Sequence, residues 1–177
     1  MSKIFPLIAL VLVFNACRDK PHESKKPLKK VSKYPLKLGN IDYDSLIDDP
    51  TFNVCNGERS VVQYFVFDEK TYEGEMWALE KEVRAQYDLP VMEGQTGLVR
   101  IRFIVNCEGQ AGRHRAIAMD AAYNAFEFDT KIIQKLLDIT KSLKGWKIFK
   151  NKQQQPLDYY QYLIYKIKDG QLLEILP

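Results

Sequence analysis

Gly97-Leu98-Val99-Arg100-Ile101-Arg102-Phe103-Ile104-Val105-Asn106-Cys107-Glu108-Gly109 alternates apolar and polar side chains more strictly than any other stretch of the chain. Val99, Ile101, Phe103, Val105 and Cys107 fall on one side, and Arg100, Arg102 and Asn106 on the other. Successive side chains of a β-strand leave opposite faces, so this stretch predicts a strand with one buried and one wet face. Glu108-Gly109-Gln110-Ala111-Gly112 predicts a hairpin loop, and residues 113–119 return as the partner strand. Arg100 and Arg102, at i and i+2 on the wet face, could hold a carboxylate or a lipid phosphate, or simply keep that face soluble.

Working outward, residues 61–67 (Val-Val-Gln-Tyr-Phe-Val-Phe) are rich in strand formers and bounded by Gly57 and Asp68-Glu69-Lys70, which predicts another strand. Tyr72, Met76, Leu79, Val83 and Tyr87 recur at helical spacing, with Glu73 and Glu75 in the first turn and Leu89-Pro90 as the stop. A second helix starts at a cap, Asp129 or Thr130. It carries Ile132, Ile133, Leu136, Leu137, Thr140 and Leu143 on its apolar side, has Lys141 and Lys144 in its last turn, and stops at Gly145 before Trp146. Residues 159–167 form an aromatic strand, Asp169-Gly170 a two-residue hairpin turn, and residues 172–176 a closing strand. The expectation is an α+β fold: an antiparallel sheet packed by two helices, with an extra C-terminal hairpin strand.

The 177 residues suit one domain plus a tail. The formal charge of +3 is unevenly placed. Residues 18–37 hold eight cations against Asp19 and Glu23, a net +6. With Lys3 counted as well, residues 38–177 are left at −4. The basicity that would suggest nucleic acid therefore belongs to a Pro-punctuated tether too poor in apolar residues to fold by itself. That tether is either a passive spacer or a contact for anionic headgroups. Residues 40–50 place Asp42, Asp44, Asp48 and Asp49 close together, but the ligand and glycine positions of a calcium loop are not filled, so the stretch reads as a polar turn.

Met1-Ser2-Lys3 followed by an apolar stretch, residues 4–14, reads as an export signal, residues 1–16. The run is too short for a bilayer span of roughly 20 residues. Phe14-Asn15-Ala16-Cys17 resembles the bacterial lipobox, which implies that Cys17 carries palmitate-type acyl chains and anchors the protein. The alternative is ordinary cleavage with Cys17 incidental, but Phe14 occupies a position where such a site wants a small residue. Export leaves Cys55 and Cys107 as an even pair, either two buried thiols or a disulfide; an oxidising compartment favours the disulfide. Two cysteines without neighbouring ligands give no zinc spacing, so no metal is expected, and no cofactor.

The order of strand, hairpin, strand, helix, Gly-Trp and aromatic strand over residues 72–168 resembles the C-terminal domain of TonB. The signature of that family matches residues 97–109, and Gly145-Trp146 stands where its helix-ending Trp is expected. The connection after the second strand is longer here, and the Trp lacks a following Pro. The resemblance implies an envelope protein that contacts a partner protein or peptide through a sheet edge; the short tether speaks against energy transduction.

Catalysis is not expected. His22 lies in the tether, and His114, between Arg113 and Arg115, has no nucleophile in a recognisable spacing; the serines fit no hydrolase motif. The expected organisation is thus signal 1–16, lipid-anchored tether 17–40 and a single domain 41–177. Its expected function is non-catalytic binding of an envelope protein or peptide at the periplasmic side of the outer membrane. Tyr160, Tyr162, Arg100 and Arg102 are the candidate contact residues, because aromatic and arginine side chains dominate binding hot spots. The other function considered is a carrier of a small ligand or lipid in a pocket between helices and sheet. Neither reading involves nucleic acid.

Overall fold

Strand β2 (Gly97–Val105) sits inside a five-stranded sheet. On one side it pairs antiparallel with β3 (Ala111–Met119), and on the other with β4 (Tyr159–Lys168). Residues 39–66 and 69–176 are described by the computed structural model; the expected signal, Cys17 and all but the last two residues of the expected tether lie outside them. Val99, Ile101, Phe103 and Val105 are fully buried, as the alternation requires. The strand stops short of Cys107, which lies in the hairpin turn and is half-buried instead of on the buried face.

Two helices cover that face. Helix α1 (Glu75–Gln86) contributes Leu79 and Val83, and α2 (Thr130–Ser142) contributes Ile132, Leu136 and Ile139. Helix α2 is capped by Asp129, whose carboxylate accepts from the Lys131 amide at 2.8 Å, satisfying a donor with no partner inside the helix. Tyr72 precedes α1 rather than lying on it, and its ring packs edge-on against Trp146 at 4.8 Å. The Thr140 hydroxyl donates to the Leu136 carbonyl, leaving the buried Tyr165 hydroxyl to donate to Thr140 at 2.8 Å. Core polar groups are thus paired where the helix crosses the sheet.

The sheet is mixed, which corrects the antiparallel expectation. Strand β1 is only Val62–Gln63, paired parallel with Tyr159 and Tyr160; the predicted strand over residues 61–67 turns at once into a 3-10 helix, Tyr64–Val66. Tyr64 leaves the strand path to pack edge-on against the Tyr162 ring at 5.2 Å and share a hydrogen bond with its hydroxyl. Strand β5 (Gln171–Leu176) folds back through Asp169-Gly170 and pairs with β4 from Ile164 to Lys168, further along the same edge. Both turn residues have positive φ, 48° and 77°, the geometry of a tight hairpin turn that matches strand twist.

The second face is not simply wet. Residues 39–61 run across it and bury Ile41 and Phe52 against Ile104 and Tyr160. A bulge in β3 makes this possible: two residues, Arg113 and His114, oppose Phe103, and Arg113 takes φ 55°. His114 thereby turns into the core, stacked on Phe103 at 5.0 Å, while Arg113 and Arg115 both reach the second face. Arg113 grips Glu58 through two 2.7 Å bonds, and Arg115 grips Asp48 at 2.7 and 2.6 Å. Gly112 is required here because any Cβ would enter the Phe52 ring.

Candidate functional site

The two sides of the sheet are finished differently. On the β4 side, β1 and β5 share the edge, and two carbonyls near the start of β5 are occupied: Arg84 of α1 donates to Leu172 and Leu173 at 3.0 and 2.9 Å. On the β3 side, among the described residues, the backbone is bridged only near Met119, where Phe126 donates to the Ala118 carbonyl. That bond shows that Ala118 points its backbone groups away from β2. By the two-residue period Ala116 does the same. Among the described residues no other element pairs with the outer edge of β3 from Gly112 to Ile117, although the His114 carbonyl accepts from Arg115. Ile117 is 51% exposed on that strand. The turn that Arg115 ties down through Asp48 and the Asp42 carbonyl carries two more exposed apolar side chains, Leu46 and Ile47. Arg115 holds the Asp48 carboxyl below its ordinary range, so this clamp stays charged.

The four residues singled out from sequence lie together on the second face. The Arg100 guanidinium stands over the Tyr162 ring at 4.5 Å and Arg102 over Tyr160 at 5.5 Å, attractions of cation to ring quadrupole. Tyr160 is buried under the 39–61 segment, and Arg102 donates to the Gly39 carbonyl at 2.6 Å. Tyr162 shares a hydrogen bond with Tyr64, and that bond, with burial, pushes the Tyr64 hydroxyl up to about 12. Arg100 and Arg102 have no carboxylate partner among the described residues, and burial together with Arg100 lowers the hold of Arg102 on its proton. Arg102 and Tyr160 secure the 39–61 segment over the sheet, while Arg100 and Tyr162 meet each other and Tyr64; the open backbone of β3 is one strand from the arginines and two from the tyrosines.

Cys55 and Cys107 form a disulfide with a Cα–Cα distance of 6.0 Å. Beside it lies Asp158, fully buried, a residue that sequence reading passed over. Its carboxylate accepts from the amides of Cys55, Asn56 and Cys107 at 3.1, 2.8 and 3.0 Å, and from the Asn56 side chain at 2.9 Å. The two sulfurs and the carboxylate oxygen are close enough to suggest a metal triad, but the sulfurs are bonded to each other and the oxygens are filled by N–H donors.

His114 and Trp146 flank Phe103 in the core, and among the described residues neither His114 Nε2 nor Trp146 Nε1 has a hydrogen-bond partner. Burial, then the charges of Lys141 and Arg115, lowers His114 to about 4. The ring is therefore neutral near pH 7.

No family model matches the chain, and no curated protein or solved structure matches it.

Proposed function

We propose that this chain is a non-catalytic, lipid-anchored component of the cell envelope that receives an extended segment of another envelope protein along the outer edge of β3. The observation that carries the reading is the unpaired backbone at Ala116, on a strand whose outer edge no described element pairs with from Gly112 to Ile117, whereas β4 on the other side of β2 is covered by β1 and β5. An added strand gains main-chain hydrogen bonds at such an edge, and flanking pockets and side chains supply its specificity. Ile117, Leu46 and Ile47 are the exposed apolar groups beside it. The resemblance of residues 72–168 to the C-terminal domain of TonB supports strand addition as the mode but not the β3 edge in particular, since the C-terminal strand β5 already lies along β4, and the lipobox-like residues 14–17 support the anchor.

A photo-crosslinking residue at position 117 in intact cells should capture one discrete partner. Ala116→Pro should abolish capture while the protein stays folded, because proline removes an N–H that faces outward. Capture that survives Ala116→Pro would refute strand addition. Cys17→Ala should release the protein from the membrane and remove palmitate-analogue label; retention of the label would refute the anchor.

A further inference from the structure

The 39–61 segment covers only part of the sheet face opposite the helices. Directly paired residues share a face, so the register sets Ile117, Arg100, Ile164 and Leu176 in one row across β3, β2, β4 and β5. In the next row Met119 pairs with Leu98, and the row ends on Lys166 and Glu174. A sheet face left to water normally carries polar side chains, yet five of the eight here are apolar. None of those five belongs to either buried cluster, and Ile117 and Leu176 are 51% and 36% exposed. Lys166 and Glu174 answer each other at 3.5 Å. Arg100 has no such answer. Its guanidinium lies over the Tyr162 ring, and its terminal nitrogens, which are not shut off from solvent, make no hydrogen bond or ion pair among the described residues. A partner that covers this row must match that charge, because burying an unpaired guanidinium is strongly unfavourable.

We propose that this half of the face docks an amphipathic helix of a partner protein, whose apolar stripe includes an Asp or Glu that pairs with the terminal nitrogens of Arg100. Four strands about 4.8 Å apart make a row about 14 Å long, which the stripe of about three helical turns spans. A face offers side chains and no free backbone, which suits a helix as an edge suits a strand. A second copy, packed face to face about the centre of the row, would set Arg100 against Arg100. The chain's own residues 18–37, at net +6, would likewise bring cations to it. An anionic lipid surface fits poorly, because residues 38–177 carry −4. The surface borders the β3 edge but uses none of its backbone, so it stands whether or not a strand adds there.

A photo-crosslinking residue in place of Ile164, two strands from the β3 edge, should capture one protein in intact cells. Mass spectrometry should place the crosslink in a segment with apolar residues at i, i+4 and i+7 and a carboxylate within one turn. Arg100→Met should lower the yield about tenfold, Arg100→Glu should abolish it, and Arg100→Lys should keep most of it, with thermal unfolding of each full chain as the check on folding. Exchanging the mapped partner carboxylate for Arg should restore capture by Arg100→Glu, a rescue that a misfolded variant would not show. The proposal is overturned by no capture, by an adduct of the chain with itself or with lipid, by a yield indifferent to Arg100→Glu in the folded variant, or by a crosslinked segment without a carboxylate.

Discussion

Reduction of the Cys55–Cys107 bridge should cost about 4 kcal/mol of stability while leaving the folded structure in place. The bridge joins residues 52 apart in the chain, and closing a loop of that length removes entropy from the unfolded chain worth about 4 kcal/mol. The folded side of the balance should barely move, because other contacts hold the same region. Asp158 binds the amides of Cys55, Asn56 and Cys107, Asn106 donates to the Asn53 carbonyl at 3.1 Å, and Arg113 holds Glu58. Urea unfolding of the oxidised protein, the reduced protein and a Cys55→Ser/Cys107→Ser double variant would measure the loss. At a slope of about 2 kcal/mol per molar urea, the midpoint should fall by about 2 M. Amide exchange without denaturant should leave Phe52 and Val54 as protected in the reduced protein as in the oxidised one, apart from the change in global stability. A loss below about 1 kcal/mol, or selective deprotection of residues 52–58, would refute the account, since the bridge would then be acting on the native state.

His114 sets a pH dependence. Its ring is lowered to about 4 in the fold against 6.5 ordinarily, so between those values the unfolded chain binds the extra proton and stability falls as pH drops, by about 3 kcal/mol across the window. His114→Gln should flatten that part of a stability–pH curve; an unchanged slope would count against the assignment. Asp48→Asn should cost about 2–3 kcal/mol in thermal unfolding, less than a fully buried pair because Arg115 keeps a quarter of its side chain exposed. Gly112→Ala should destabilise by roughly 1–3 kcal/mol through overpacking against Phe52, and should cost far less in a Phe52→Leu background; full additivity would show that the two do not touch.

The alternation from Val99 to Val105, the Asp129 cap and the Asp169-Gly170 turn were readable because each is a local pattern with a local cause. Cover for the second face was not. Ile41, Phe52 and Val54 recur with no period, and what holds them down is remote: Arg113 reaches Glu58 and Arg115 reaches Asp48 across the sheet. The bulge that aims those arginines needs a positive φ at Arg113, a residue type that does not announce one. The 61–67 run differs from its local pattern for a related reason: its composition favours a strand, but Tyr64 is held by a remote partner, Tyr162, and the chain turns there into a 3-10 helix. Among the site residues, the faces of Arg100, Arg102, Tyr160 and Tyr162 were legible from their spacing. Their partners were not, since cation–ring pairs join strands whose register the sequence does not print.

Asp158 also fixes where β4 begins. One carboxylate measures the position of three chain segments at once: residues 55–56, the hairpin turn at Cys107, and the residue immediately before Tyr159. A slip of β4 by one position would send Tyr159 and Tyr160 to opposite faces, and this carboxylate could no longer reach its donors. Insertions in the 151–155 turn upstream of it should therefore be absorbed without disturbing the sheet. A single residue added between Asp158 and Tyr159 should not be, however conservative its side chain.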